Sequence, residues 1–185
     1  MLIAAVESDF KFKNLFPLAS VPALETENCA PLYFRLFTVD VVVSNSPAKC
    51  TSVGKLVEDI ESFEDLDLKE NLLRGIYSCG YEKPSIIQQK AIKPFIVGGD
   101  LIAQAQSGTG KTATFSIGSL QRIDPNKGTQ SIIISHTREL AEQIHTVISS
   151  IGQYLNYSIM KLSGGTSVNQ NMDDLRRNKP HIIIA

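Results

Sequence analysis

Residues 105 to 112 read Ala-Gln-Ser-Gly-Thr-Gly-Lys-Thr, after the apolar run Leu101-Ile102-Ala103 and before Ala113-Thr114-Phe115. Residue types in this order suit one task, holding a string of phosphates. Triphosphate oxygens need many donors close together, and backbone N–H groups are dense enough to supply them. Gly108 and Gly110 lack a Cβ, so the loop can curl and turn successive amides toward one anion. The amides at the start of a following helix point the same way, and the positive end of its dipole adds attraction. Lys111 brings an ammonium to the β- and γ-phosphates, and the Thr112 hydroxyl is placed to ligate Mg²⁺. Gln106, Ser107 and Thr109 complete the expected cradle, and Lys111 and Thr112 are its catalytic candidates. The general pattern opens on Gly where this chain has Ala105. The bland alternative is a buried turn; the apolar run before and the helical pattern after favour nucleotide binding.

The elements that must hold this loop are legible on both sides. Asp67 with Glu70 reads as an acidic N-cap pair, followed by an apolar stripe of Leu68, Leu72, Leu73 and Ile76. Gly80 stands where a helix end wants a left-handed residue. Ser85 and Gln88 form a second capping pair, opening a helix with Ile86, Ile87, Ala91 and Ile92 on its inner side. Pro94 should kink that helix or end it early, and Gly98-Gly99 closes the region. After the loop, Ile132–Ile134 is a continuous apolar run, the mark of a strand covered on both faces. Residues 138 to 155 carry Leu140, Ile144, Val147, Ile148, Ile151 and Leu155 on one face, a helix docking on a sheet. A short strand at Ser158–Leu162, a helix at Met172–Arg177 and a strand at His181–Ile184 follow. Strand alternating with helix predicts a parallel α/β sheet with crossover helices.

Composition narrows the function. A chain of 185 residues suits one domain with its own core, or one domain and a tail. Eighteen basic against nineteen acidic residues leave a net charge of −1, so no global field draws nucleic acid in, and any such contact must be local. Cys29, Cys50 and Cys79 are odd in number and never spaced Cys-x-x-Cys, which argues for a reducing compartment and against a disulfide frame or zinc site. Three scattered histidines make a metal cluster unexpected. No apolar stretch approaches the ~20 residues of a membrane helix, and the start lacks a basic leader before its apolar run. The sequon Asn156-Tyr157-Ser158 is then expected to be idle. The first fifty residues, with Pro17, Pro22, Pro31 and Pro47, show no helical period and are assigned no function. Leu36-Phe37-Thr38-Val39-Asp40 looks like a strand ending in a metal-binding aspartate, but upstream of the loop it reads better as a stray apolar run.

Four strings coincide in order: Gly80-Tyr81-Glu82-Lys83-Pro84-Ser85-Ile86-Ile87-Gln88, the phosphate loop, Thr137-Arg138-Glu139-Leu140-Ala141, and Gly164-Gly165. Together they resemble the first half of the first RecA-like lobe of a DEAD-box RNA helicase. Ala103–Phe115 and Leu72–Tyr77 are similar to the translation initiation factor 4A branch of that family. The likeness covers about residues 61 to 185, and residues 1 to 60 stay unassigned. It implies a P-loop NTPase, RecA-like parallel sheet flanked by helices, as an incomplete lobe.

The resemblance also implies roles. Gln88, with Lys83 nearby, belongs to a motif that reads adenine, and a primary amide offers the donor and acceptor that the adenine edge requires. Phe63 matches the family's aromatic that stacks on the base. The alternatives are that Gln88 only caps its helix with Ser85 and that Phe63 is core. Thr137, Arg138, Gly164 and Gly165 match positions that touch the RNA sugar-phosphate backbone, where base identity is ignored. A helix start at Thr137 and a plain turn at Gly164 are the ordinary readings. Ser135-His136 stands where the family has proline, and His136 reads as a solvent-facing loop residue.

The family's later Thr-Pro-Gly-Arg, Asp-Glu-Ala-Asp and Ser-Ala-Thr motifs do not occur here. Asp173-Asp174 cannot replace the acidic box, since it follows Asn171-Met172 and not an apolar strand. ATP and Mg²⁺ are the implied cofactors, RNA and translation-factor or ribonucleoprotein components the implied partners, and the cytoplasm the expected compartment, although nuclear relatives share these motifs. Without the box and a second lobe, the expectation is slow or absent hydrolysis, a marginally stable fold and an unpaired strand at Leu101–Gln104. Two rivals to an unwinding enzyme stand beside it. One is a non-catalytic module that binds ATP or a partner; the other is a different P-loop protein such as a small-molecule kinase.

Overall fold

A computed structural model describes residues 2–5, 36–38, 60–98, 101, 103, 105–162, 165 and 167–185. Among the described residues, strands and α-helices run in the order β1 (Leu2–Ala5), β2 (Leu36–Thr38), α1 (Glu70–Ser78), α2 (Ile86–Val97), α3 (Lys111–Arg122), β3 (Ser131–Ser135), α4 (Arg138–Ile151), β4 (Ile159–Lys161), α5 (Val168–Asn178) and β5 (Ile182–Ile184). Every strand pairing is parallel, in the order β2-β1-β3-β5-β4. The register sets Ile132 beside Ile183 and Ile133 beside Ile184.

The chain steps from β3 across to β4 through α4, then back to β5 through α5. Right-handed crossovers in opposite directions place α4 and α5 on opposite faces of the sheet. Ile133, Ile182 and Ile184 are buried on one face, in a core shared with α1, α3 and α4. The other face is thinly covered: Ile134 is 41% exposed, and α5 buries none of its residues.

The helices around the loop pack closely because two glycines permit it. A Cβ on Gly118 of α3 would lie 2.2 Å from the Phe95 ring of α2. A Cβ on Gly75 of α1 would lie 1.8 Å from the Ile151 carbonyl oxygen of α4. Phe95, 1% exposed, thereby gains the ~2–3 kcal/mol that full burial of such a side chain brings. From Ala113 to Leu120, α3 is buried at every residue, so the helix behind the phosphate loop is held from all sides. Its far end is tied by Lys69, whose Nζ donates to the carbonyls of Ile123 (2.7 Å) and Leu120 (3.4 Å) and to the Tyr157 hydroxyl (3.0 Å). A cation there also suits the negative end of the helix dipole.

Several expectations shift. Asp67 does not cap α1. It sits left-handed (φ 50°) at the end of a 3-10 turn over Glu64–Leu66, and Lys69 takes the N-cap position. Gly80 is left-handed as expected (φ 82°). Gly80 N–H donates to Tyr77 O at 2.9 Å and Tyr81 N–H to Ile76 O at 3.3 Å, the two bonds of a Schellman end. Pro94 lies inside α2, which stops three residues later at Val97. The helix drawn to residue 155 ends at Ile151, before Gly152, and the one begun at Met172 starts four residues earlier, at Val168. Leu36–Thr38, read as a stray run, is a strand beside β1; Val39 and Asp40 lie outside the described residues. Leu101 and Ala103 carry no ladder pairing. They pack with Ile87 and Ala91 of α2 instead, and Ile102 and Gln104 lie outside the described residues. Cys79 is a free, half-buried thiol whose burial raises its pKa; Cys29 and Cys50 lie outside the described residues.

Candidate nucleotide site and nucleic-acid face

The loop closes with Gly108 (φ 79°) and Gly110 (φ 92°) in the left-handed region, the conformation that glycine permits without strain. Gly110 is the N-cap of α3, so the first amides of that helix face outward without intrahelical acceptors. The Thr109 hydroxyl donates to the Gln106 carbonyl at 2.7 Å and braces the turn. Lys111 folds back over it. Its Nζ donates to the carbonyl of Ala105, and to that of Gln106 at 3.2 Å. The ammonium thus lies across the cradle on two carbonyl dipoles, which a phosphate could replace with full negative charge. Gln106, Ser107 and Gly108 are exposed around it, and Thr112 is half-buried at the second position of the helix.

α2 is fastened to this loop by two side chains. Ser85 Oγ donates to the Thr109 carbonyl at 2.9 Å, and Gln88 Nε2 to the Gly110 carbonyl at 3.5 Å. Gln88 Oε1 accepts the Ser85 amide at 2.8 Å, the reverse half of a capping box. Gln88 is 2% exposed, so this amide is first of all a buried brace. Each end keeps one further hydrogen-bonding capacity. The Ser85 hydroxyl bond to the loop had no signal in the sequence, since a capping serine is expected to turn toward its own helix.

Phe63 sits elsewhere. It is fully buried in the core, edge-on to Tyr77 (centroids 6.3 Å apart, 83° between planes), and shows no open face to a base. Lys83 is exposed. Tyr81 is half-buried, and burial raises its phenol pKa.

A second group gathers at the C-terminal ends of β3 and β4, where open parallel sheets bind ligands. Thr137 is the N-cap of α4, its Oγ1 accepting the Leu140 amide at 3.2 Å. The hydroxyl hydrogen remains to donate to a phosphate. Arg138 follows, and its Nη2 lies 3.0 Å from where a Cβ on Gly165 would project. Two residues 27 positions apart are therefore adjacent, and Gly165 (φ 88°) leaves the guanidinium room. Gly164 lies outside the described residues.

For a divalent metal, the described residues offer the Thr112 hydroxyl and no cluster of three His, Cys, Asp or Glu. That set suits a magnesium ion that arrives with its phosphates and keeps its waters, and does not make a site by itself. Among the described residues, no helix is long and apolar enough to cross a membrane.

The family model described as DEAD/DEAH box helicase matches residues 85–185. The ATP-dependent RNA helicase eIF4A of Aspergillus oryzae is 52% identical over 129 residues, 69% of this chain and 30% of that protein. The chain thus spans just under a third of the length of that curated relative. A solved DEAD box protein from Methanococcus jannaschii is 35% identical with a TM-score of 0.61, covering 68% of this chain and 34% of its own. An RNA helicase from Chaetomium thermophilum, solved with ADP bound, is 33% identical with a TM-score of 0.57, covering 67% and 31%.

Proposed function

The chain belongs to the DEAD/DEAH box helicase family, whose matched relatives are ATP-dependent RNA helicases, and we propose that residues 61–185 are part of an ATP-binding lobe. In a full-length protein of this kind, the lobe couples ATP hydrolysis to the opening of RNA duplexes. Gly108, Gly110 and the first amides of α3 hold the phosphates. Lys111 exchanges the Ala105 and Gln106 carbonyls for phosphate oxygens, and Thr112 supplies a ligand to Mg²⁺, which screens charge on the phosphates when bound. Gln88 holds the loop and presents its remaining hydrogen-bonding capacity to adenine. Thr137, Arg138 and Gly165 meet the RNA backbone, and the cytoplasm is the proposed compartment, as for a translation factor.

The supporting observation is the fold-back of Lys111 within a loop fastened to Ser85 and Gln88. Titration calorimetry with MgATP tests it: the chain should bind, Lys111→Ala should not, and equal heats from both would end the reading. A preference for ATP over GTP is expected, whereas equal affinities would favour the small-molecule kinase. A second reading rests on the lack of a carboxylate cluster beside Thr112 among the described residues. In it this chain binds ATP without turnover, and phosphate release with RNA present decides between the two.

A further inference from the structure

The link between β3 and α4 consists of His136 and Thr137, and it leads directly into Arg138. The last residue of β3 bonds across it. Ser135 Oγ lies 3.0 Å from the Thr137 carbonyl oxygen and 3.1 Å from that of Ala185, which follows β5. The Ser135 amide donates to the same Ala185 oxygen at 2.7 Å, and the Ala141 amide to the Thr137 oxygen at 3.1 Å. A carbonyl oxygen has two lone pairs, so each keeps room for the hydroxyl. The Ser135 hydroxyl therefore lies where the end of the sheet meets the first turn of α4. Its single hydrogen is directed at main-chain oxygens and does not serve a phosphate.

A proline in such a link would fix a backbone angle covalently. This chain has Ser135-His136 there and restrains the link by a side-chain bond to its own backbone two residues on. That bond fixes the setting of two other side chains. Thr137, extended at φ −137° and ψ 155°, caps α4 and keeps its hydroxyl hydrogen for a phosphate. Arg138 follows, with its guanidinium beside Gly165. The direction of both depends on where the Thr137 carbonyl is anchored.

We propose that Ser135 is a positioning residue for RNA: its hydroxyl anchors the Thr137 carbonyl, so that Thr137 and Arg138 meet the sugar-phosphate backbone already oriented. The inference rests on the RNA reading above and deepens it. Fluorescence anisotropy of a labelled oligouridine titrated with the full chain at low salt, beside calorimetry with MgATP, tests it. Ser135→Ala should weaken RNA binding about three-fold, the size expected for one net hydrogen bond that preorganises a site. MgATP affinity should not change. Ser135→Thr and Ser135→Val are both branched at Cβ and differ from each other in the hydroxyl. The threonine variant should bind RNA as the original chain does, and the valine variant as weakly as Ser135→Ala. In an Arg138→Ala background, Ser135→Ala should cost less than it does alone, because Ser135 acts through that neighbour. Full additivity there, equal weakness of the threonine and valine variants, or parallel losses of RNA and MgATP affinity would each overturn positioning alone. Unchanged RNA binding in Ser135→Ala, while Arg138→Ala binds weakly, overturns it too. If the unaltered chain does not bind oligouridine, or Arg138→Ala binds it equally well, the RNA reading falls and positioning with it.

Discussion

Gln88 and Gly110 occupy one another's space: a Cβ on Gly110 would lie 2.7 Å from Gln88 Nε2, which donates to the Gly110 carbonyl at 3.5 Å. Gly110 is also left-handed, at φ 92°. Gly110→Ala therefore meets strain and a clash together. It should cost about 1–3 kcal/mol of stability and most of the ATP affinity. Urea unfolding with parallel calorimetry checks this, and unchanged binding would mean the loop tolerates a very different path.

Gln88 can be probed from the other side. Gln88→Ala leaves the Ser85 amide without its partner, while the Gly110 carbonyl keeps the Thr114 amide and hydroxyl at 3.0 Å each, for a loss of about 1–3 kcal/mol. Gln88→Glu keeps an acceptor for the Ser85 amide but sets an oxygen against the Gly110 carbonyl. It should fail to restore either stability or nucleotide affinity. A variant as stable as the original chain in thermal melting would show that the brace carries no weight.

The loop, the Gly80 end and the β3–α4–β4–α5–β5 alternation were legible because each rests on local chemistry: glycine freedom, capping types and period. Phe63 was not, since an aromatic upstream of a helix has the same local signature whether it stacks on a base or fills the core. Burial is a property of the whole fold. The Asp67 cap failed for a related reason. The Lys69 amide donates to Gln121 Oε1 at 2.9 Å, 52 residues away, and this long-range bond moves the helix start past Asp67. The Arg138–Gly165 approach is likewise tertiary, and only the family resemblance had joined the two residues.

The two helix-crossing glycines should respond differently to rescue. Gly118→Ala presses on the Phe95 ring and should cost about 1–3 kcal/mol. Phe95→Leu combined with it should recover part of that loss, because a smaller side chain can retreat. Gly75→Ala presses on the backbone oxygen of Ile151, which no side-chain change relieves. Chemical denaturation of the four variants gives the coupling, and simple additivity of Gly118→Ala with Phe95→Leu would count against a direct clash.

Ser119 and Ser131 are each 1% exposed, and neither hydroxyl has a hydrogen-bond partner among the described residues. An unpaired buried hydroxyl costs about 1–3 kcal/mol, and alanine removes it while leaving little void. Ser119→Ala and Ser131→Ala should each raise the melting temperature or leave it unchanged. A marked drop at either position would reveal a partner for that hydroxyl.

Acid should act partly through Asp124, in the turn that joins α3 to β3. The Asn126 amide donates to its carboxylate at 3.0 Å, and Lys127 lies 3.2 Å away; the amide bond first, and then the lysine, hold its pKa below the usual carboxylate value. A carboxyl lowered in the folded state favours folding above its unfolded value of about 3.9. That contribution is lost as pH falls through the lower folded value. Asp124→Asn keeps an oxygen for the Asn126 amide but does not titrate. The melting temperatures of the two proteins should therefore differ most near neutrality and converge under acid. Parallel curves across the whole range would show that this carboxylate has no folded-state preference for its charge.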